Sequence, residues 1–281
     1  MIQSLRRREL SILFIVLIVV SGCAGTFGSS HRRTVRILTY NIHHAEGVDK
    51  TIDINGIGDV ILKSDADIVA LQDVDRWAGR TNNLDMMTTL ADLTGMTYAF
   101  GESADLDRGV NGNGILTRFP ILEERNLHFQ TPASPAKGSL MQLVLDVGGI
   151  TLVTMNTDLG FAESDSERVL DVQAIDNAAA GRNGLPVILC GSMNAEPGSG
   201  TYAILAGSFR DAWNEAKGEG AITVPSAESQ KRTDYIFISK SVVPSDTKSI
   251  QTTLASVNAR VLQSNASTHL PVLVELKIVT E

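Results

Sequence analysis

The sequence predicts an α/β domain. Several segments alternate apolar and polar residues and carry β-forming side chains, as in 34–40, which is typical of strands with one buried face. Others repeat apolar residues three or four positions apart, as do Ile54, Ile57 and Ile61, which is typical of amphipathic helices. With 281 residues, 43% of them hydrophobic, the chain is long enough to bury a large core.

The predicted elements alternate along the chain. Strands are predicted at 34–40, 67–72, 97–101, 114–117, 140–147, 150–156, 186–190, 234–239 and 271–279. Helices are predicted at about 54–61, 84–93, 165–180 and 201–205. Asn82 or Asn83 is the expected N-cap of the second helix, Gly95 lies just past its end, and Gly181 ends the third. Because hairpins and helical crossovers both connect the strands, we expect two packed sheets covered by helices.

The chain is acidic, with a formal net charge of −8 and an isoelectric point of about 5.2. Nucleic acid is therefore not an expected partner, since an acidic surface repels its phosphates. Small phosphorylated substrates held by a bound metal remain compatible with this charge. The two cysteines, Cys23 and Cys190, are too few for a disulfide framework, and the apolar surroundings of Cys190 predict a buried thiol.

The N-terminus has the pattern of an export signal. Arginines at 6–8 precede a short apolar run at 12–20, and Val-Ser-Gly-Cys follows, ending at Cys23. This ending resembles a bacterial lipoprotein signal, although a plain signal peptide with an incidental cysteine is the alternative. We predict a signal peptide at 1–22, a lipidated Cys23 opening a flexible tether at 23–33, and a folded domain at 34–281. The protein would be exported and lipid-anchored to a membrane of the cell envelope.

Polar side chains stand at the ends of several predicted strands. In the most informative segment, Ile188 to Ser199, an apolar strand enters a glycine turn that presents Ser192 and Asn194. The polar residues of interest at or near the predicted strands are Asn41, Asp73, Asn113, Asn156, Asp158, Ser192, Asn194, Asp234, Thr268 and His269.

In their order along the chain, the motifs around these residues resemble those of the endonuclease/exonuclease/phosphatase superfamily, over about residues 34–279. That superfamily comprises metal-dependent phosphoesterases, including pancreatic-type deoxyribonuclease. The resemblance implies a four-layer α/β sandwich, in which two packed mixed sheets are flanked by helices. It also implies Mg²⁺ or Mn²⁺ held by Asn41 and Asp73, with Asn113 and Asn156 binding substrate.

The resemblance assigns catalytic roles to a second group of residues. Asp234 would orient His269, which would act as acid or base. Asn194 would hydrogen-bond the developing charge on the phosphoryl group. Asp158 belongs to this catalytic group by its position in the Asn-Thr-Asp-Leu segment.

Four positions depart from the family pattern. Asp73 replaces a glutamate and is one methylene shorter, which weakens direct ligation of a metal. Asp158 replaces a histidine that faces the phosphate, and an ionised carboxylate there would repel the substrate by about 4 kcal/mol at about 4 Å. Ser192 replaces the carboxylate that activates the nucleophile, with no base evident nearby in sequence. Thr268 replaces an aspartate that helps to hold the metal or its waters.

Other polar residues lie next to these motifs. Asp75, Arg76 and Arg80 follow the Asp73 strand and form either a cationic rim for phosphate or a solvated surface. Because neighbouring residues of an extended strand point in opposite directions, at most one of His43 and His44 is expected to face the cleft.

Two functions fit the sequence. The first is a metal-dependent phosphoesterase acting on a small phosphoester or a phospholipid-derived ligand. The second is a catalytically degenerate member of the family that serves as a lipid-anchored binding or scaffold protein, since each lost catalytic group costs about 10²–10⁴-fold in rate.

Overall fold

The computed structural model describes residues 31–129, 138–160, 164–218, 221–225, 230–240 and 252–280. The predicted signal peptide, Cys23 and most of the predicted tether lie outside these residues. Residues 31–33, also predicted as tether, belong instead to the first strand, where they pair with Ile278–Thr280. Within the described residues, no helix is long and apolar enough to span a membrane.

Five α-helices and fourteen strands make up the described fold. The helices are α1 (Ile54–Ser64), α2 (Met86–Thr94), α3 (Asp165–Ala180), α4 (Gly200–Ser208) and α5 (Ala212–Glu215). The first seven strands are β1 (His31–Asn41), β2 (Ile68–Arg76), β3 (Thr97–Asp105), β4 (Val110–Thr117), β5 (Ile121–His128), β6 (Ser139–Asp146) and β7 (Thr151–Asp158). The others are β8 (Val187–Ser192), β9 (Phe209–Asp211), β10 (Val224–Pro225), β11 (Gln230–Lys231), β12 (Asp234–Ser239), β13 (Thr252–Val261) and β14 (Val272–Thr280).

Two six-stranded mixed sheets form the centre of the molecule. Sheet I has the order β13-β14-β1-β2-β4-β3, and sheet II has the order β5-β6-β7-β8-β12-β9. One apolar cluster lies between the sheets and includes Ile37 of sheet I and Ile188 of sheet II. A second cluster packs sheet I against α1 and α2, and a third packs sheet II against α3 and α4. The predicted α/β sandwich of two mixed sheets flanked by helices is confirmed.

The parallel strand pairs bring several chain positions to one edge of the sandwich. In sheet I, β1 and β2 are parallel, with Asn41 opposite Gln72. In sheet II, β7 and β8 are parallel, with Asp158 opposite Ser192. The antiparallel strand β12 begins beside them, with Asp234 opposite the same Ser192. Carboxyl ends of parallel strands and the start of an antiparallel neighbour therefore share this edge.

Most predicted elements are found with small shifts, and two corrections concern local signals. The N-cap of α2 is Asp85, whose side chain accepts a hydrogen bond from the backbone N–H of Thr88. Asn82 and Asn83 instead occupy left-handed turn conformations ahead of the helix, with φ of 55° and 56°. Gly95 ends α2 as predicted, in the left-handed conformation with φ of 67°.

Six elements were absent from the prediction: β5, β9, β10, β11, β13 and α5, of which β10 and β11 have only two residues each. β5 is a sheet edge whose residues are mostly exposed, so its sequence lacks a continuous apolar face. β13, at an edge of sheet I, contains a bulge between Ser256 and Asn258, which interrupts the alternation of buried and exposed residues. β9 and α5 have three and four residues, too few for a periodic pattern.

Candidate active site

The residues at this shared edge form two linked groups, which together we call the candidate active site. The carboxylate group comprises Asn41, Asp158, Ser192, Asn194, Asp234 and His269. The histidine group comprises His43, His44, Asp73 and Thr268. The groups adjoin because the backbone N–H of His43 donates to Asn41 Oδ1 at 3.0 Å.

Asp234 and His269 form a buried pair in the carboxylate group. Asp234 is 1% exposed, and His269 Nδ1 lies 3.0 Å from its Oδ2. Burial favours the neutral acid, but the His269 charge and hydrogen bond outweigh it and hold the pKa of Asp234 below its usual range. Burial likewise opposes a charged imidazole, yet Asp234 holds the pKa of His269 above its ordinary value. Because Nδ1 faces Asp234, Nε2 is the nitrogen left for a ligand.

Ser192 is fully buried between two polar partners. Its hydroxyl donates to Asp234 Oδ1 and accepts from Asn41 Nδ2 at 3.0 Å. The expectation that no base lies near Ser192 is therefore wrong, since Asp234 is its neighbour. Asp234 is nevertheless a weak base because its pKa is lowered, so this serine positions Asp234 rather than replacing a catalytic carboxylate.

Asp158 is the second carboxylate of the site, and its own donors surround it. Its Oδ1 accepts from the backbone N–H of Gly160 at 2.8 Å and from Asn194 Nδ2 at 3.1 Å. Its Oδ2 lies 3.3 Å from Asn41 Nδ2. Burial and the charge of Asp73 raise the pKa of Asp158 to about 7. The expected fixed negative charge is thus corrected to a carboxyl that exchanges a proton near neutral pH.

Asn41 reaches both Asp158 and Ser192 through its amide nitrogen. Its oxygen, the atom expected to contact a metal, accepts the backbone N–H of His43. This side chain therefore links the two groups of the site, and its contact with a metal stays a prediction.

Asp73 lies in a bulge of β2 and has a left-handed backbone, with φ of 52°. Its Oδ1 accepts from Asn111 Nδ2 at 2.6 Å and lies 3.5 Å from Arg80 Nη2. Its Oδ2 lies 3.3 Å from His44 Nδ1. Burial opposes ionisation, but His44, Arg80 and Asn111 together hold the pKa of this carboxyl below its usual range. Asp73 is therefore an ionised, fixed candidate for binding a metal.

His43 and His44 both point to the same side, contrary to the expectation that at most one would. They form a short 3-10 turn with Ala45 at the end of β1, and φ is 46° for His43 and 43° for His44. Ligand atoms of both rings and of Asp73 lie within 4.8 Å of one another. These three residues can hold a divalent ion, and this set was not predicted.

The two arginines after Asp73 are already paired with carboxylates. Arg76 lies against Asp85, with Nε and Nη2 at 3.0 and 2.5 Å from its two oxygens. Arg80 makes two contacts of 2.7 Å to the fully buried Asp75. The cationic rim is therefore mostly neutralised, and Arg80 supports Asp73 instead.

Asn113 and Asn156, predicted to bind substrate, are both fully buried. Asn156 Nδ2 donates to the backbone oxygens of Leu71 and Gly114, and its Oδ1 accepts from Gln72. Asn113 Nδ2 contacts Ser139 and Ser103. The structure thus places Asn156 beneath the site as a bridge between the sheets, and Asn113 inside the protein.

Comparisons with known proteins agree with the fold. The family described as "Endonuclease/Exonuclease/phosphatase family" matches residues 38–267. An uncharacterized protein of Escherichia coli K12, YbhP, is 24% identical over 218 residues, covering 72% of this chain and 84% of that protein. Among solved structures, an endonuclease/exonuclease/phosphatase from Beutenbergia cavernae has a TM-score of 0.71 at 21% identity, covering 88% of this chain and 72% of the other. D. rerio TDP2 complexed with a single-strand DNA product has a TM-score of 0.66 at 16% identity, covering 86% and 98%.

Proposed function

Because the chain belongs to the endonuclease/exonuclease/phosphatase family, we propose that it is a metal-dependent phosphoester hydrolase in which Asp158 supplies the catalytic carboxylate. The observation that carries this proposal is the register of sheet II, where Asp158 lies directly opposite Ser192 on the parallel neighbour strand. A carboxylate absent from the end of β8 is thereby available from the end of β7. Burial, the main cause of its raised pKa, is independent of the metal, and a raised pKa suits a group that takes a proton from water.

His269, oriented by Asp234, supplies a proton in the same reaction. Asp234 fixes the ring through Nδ1, so that Nε2 can donate a proton to the phosphoryl or leaving oxygen. The raised pKa of His269 keeps the ring protonated to higher pH, which favours this donor role. Asn194 Nδ2 donates one hydrogen bond to Asp158. Its second N–H would donate to the developing negative charge on the phosphoryl group.

A divalent metal ion would supply charge stabilisation to the phosphoryl oxygens when bound. The residues present fit such an ion, since Asp73 is ionised, held through one oxygen by Asn111, and close to two imidazoles. In this chain Asp73 would hold the ion, and the neighbouring Arg80 limits the net negative charge around that carboxylate.

The test of Asp158 moves the carboxylate from β7 to the opposite position on β8. Asp158→Asn should lower kcat about 10²–10⁴-fold with bis-p-nitrophenyl phosphate or p-nitrophenyl phosphate as substrate. Adding Ser192→Asp to Asp158→Asn should restore part of that activity, because it returns the carboxylate to the opposite position. Asp234→Ala/His269→Ala is the inactive control. Activity that survives this control unchanged would contradict the proposal.

We propose a small phosphoester or a phospholipid-derived ligand as substrate rather than nucleic acid. The net charge of −8 and the pairing of Arg76 and Arg80 with carboxylates support this choice, because both weaken the attraction to a nucleic-acid backbone. Turnover of inositol phosphates or phospholipid head groups should exceed turnover of duplex DNA at equal phosphate concentration. A preference for duplex DNA would refute the substrate class.

The alternative is a lipid-anchored binding or scaffold protein without turnover. It is favoured by Ser192 and Thr268, which replace two carboxylates of the family pattern and leave fewer groups to act on water. No hydrolysis with Mg²⁺, Mn²⁺ or Zn²⁺, combined with ligand-induced thermal stabilisation, would establish this alternative and overturn the hydrolase.

Export and lipid anchoring are a separate part of the proposal, supported by the arginines at 6–8, the apolar run at 12–20 and Cys23. Expressed in a bacterium, the full chain should fractionate with membranes and incorporate a clickable fatty acid. Cys23→Ser should abolish both, whereas Cys190→Ala, at the buried cysteine, should abolish neither. Lipid label that persists in Cys23→Ser would refute the anchor.

A further inference from the structure

We propose that His43, His44 and Asp73 form a transition-metal site, selective for Zn²⁺ over Mg²⁺, on the candidate active site. This inference rests on the proposed function only for its chemical purpose, since the site itself is defined by the positions of its three side chains. Their ligand atoms already lie within 4.8 Å of one another.

The first argument is the backbone that presents the two rings. Three consecutive residues that are not glycine, His43, His44 and Ala45, have φ of 46°, 43° and 60°. Each such residue costs about 1–2 kcal/mol relative to an ordinary conformation. The turn is closed by Ala45 N–H donating to Ile42 O at 2.8 Å, and by the contact of His43 N–H with Asn41. An extended strand would separate the rings, so the strained turn is what brings them together.

The second argument is that the second nitrogen of each ring faces an oxygen outside the set, which for His43 is a hydrogen-bond partner. His43 Nδ1 lies 3.2 Å from Thr268 Oγ1, which leaves Nε2 to bind an ion. His44 Nε2 faces Glu46 Oε2 at 3.8 Å, beyond hydrogen-bond distance, and its Nδ1 lies on the side of Asp73. Metal-binding histidines characteristically direct their second nitrogen to such an oxygen, because it fixes the tautomer and the ring plane.

The third argument is the spacing of the donors. Neighbouring ligand atoms around a tetrahedral zinc ion are about 3.4 Å apart, given zinc–ligand distances of about 2.0–2.2 Å. His44 Nδ1 and Asp73 Oδ2 are 3.3 Å apart. Asp73 Oδ1 is held by Asn111, so Oδ2 is the oxygen free to bind. The ligand atom of His43 lies within 4.8 Å of the other two, so a small shift of this side chain would complete the site.

The chemistry of the set then decides which metal it prefers. Mg²⁺ favours oxygen ligands in a near-octahedral arrangement, whereas two imidazoles and one carboxylate suit zinc and leave a position open. The same set accounts for two departures from the family pattern. The shorter reach of Asp73 is compensated by two added nitrogen ligands, and Thr268 exchanges a carboxylate for a hydroxyl that holds His43.

The test is metal binding by the full chain, purified, stripped with a chelator and titrated calorimetrically with Zn²⁺, Mn²⁺ and Mg²⁺. One Zn²⁺ per chain should bind more tightly than Mg²⁺. His43→Ala, His44→Ala and Asp73→Asn should each weaken Zn²⁺ binding by at least about 100-fold, and Thr268→Val by about 10-fold. His128→Ala, at an exposed histidine of β5, should have no effect.

Circular dichroism and a Co²⁺ absorption spectrum complete this experiment. A folded variant whose Co²⁺ bands are lost supports ligation, and Asp73→Asn keeps the side-chain shape if a histidine variant fails to fold. Mg²⁺ binding as tight as Zn²⁺, or Zn²⁺ binding unchanged in all three ligand variants, would overturn the site. Zinc binding without hydrolysis would leave the site standing and remove the proposed function. Hydrolysis with Mg²⁺ that the histidine variants do not affect would leave the proposed function standing and remove the site.

Discussion

At the scale of single residues, two carboxyl groups of the site, Asp158 and Asp234, have opposite tendencies. Asp234 is buried beside a charged imidazole and stays ionised, whereas Asp158 is buried beside another carboxylate, Asp73, and gains a proton more easily. Such divergence is how neighbouring carboxyl groups take separate acid and base roles. Under the proposed function, the carboxyl that takes the proton lies at the end of β7 rather than at the end of β8.

Asp234→Asn should reveal the coupling of this residue to His269. The folded-state pKa of His269 is raised, so the pair stabilises the fold fully below the unfolded pKa, and this contribution is lost as pH rises through the folded value. The pKa of Asp234 is lowered, so the contribution is also lost as pH falls through that folded value. Between about pH 4 and 6.5 the variant should lose about 1.5–3 kcal/mol of unfolding free energy.

Thermal unfolding across pH measures this loss, and NMR titration of His269 should show its pKa falling in the variant. The ring signal of His128, exposed on β5, is the internal control. An unchanged His269 titration would show that Asp234 does not govern the ring.

At the scale of elements, the sequence predicted those helices and strands that carry a local signal. The helix over 165–180 and the strand over 234–239 were predicted at their observed bounds, because Gly181 marks the end of the helix and the strand is a run of buried β-forming residues. The orientation of His43 and His44 was not predicted, since a left-handed turn of residues other than glycine has no sequence signature. Asn111, which supports Asp73, belongs to no recognisable motif and depends on the pairing of β2 with β4.

The cap of α2 gives an element-scale prediction. Asp85→Ala removes the hydrogen bond to Thr88 N–H and the ion pair with Arg76, and should cost about 1–3 kcal/mol of unfolding free energy. Asn83→Gly is the matched control, because glycine tolerates its left-handed conformation and should change stability by only a few tenths of a kcal/mol. Chemical denaturation measures both, and equal losses would restore the original assignment of the cap to the asparagine.

Helix α3 gives a second prediction at the scale of elements. Burial, together with the charge of Glu167, raises the pKa of Asp171 to about 6. Its folded pKa is above its unfolded pKa, so this group destabilises the fold as pH rises through about 6. Asp171→Asn should add about 1–2 kcal/mol above that pH and nothing near pH 4. Melting curves at both pH values test this, with Asp92→Asn, at an exposed residue of α2, as the control.

At the scale of the whole molecule, function depends on how the two sheets are held in relation to each other. The carboxylate group is drawn from both sheets: Asn41 ends a strand of sheet I, while Asp158 and Ser192 end strands of sheet II. Apolar packing between the sheets is not directional. Directional bonds are needed to fix one sheet against the other, and the bridge made by Asn156 and Gln72 supplies them beneath the site.

Asn156→Ala should therefore act on stability rather than on substrate affinity. It removes the partner of Gln72 and leaves the backbone oxygens of Leu71 and Gly114 without that donor, at a cost of about 2–4 kcal/mol. Thr154→Val is the matched control on the same strand, because Thr154 Oγ1 is buried with no hydrogen-bond partner among the residues that the structure describes. It should be neutral or stabilising. Calorimetric unfolding and KM distinguish the roles: a raised KM at unchanged melting temperature would restore the substrate contact first assigned to Asn156.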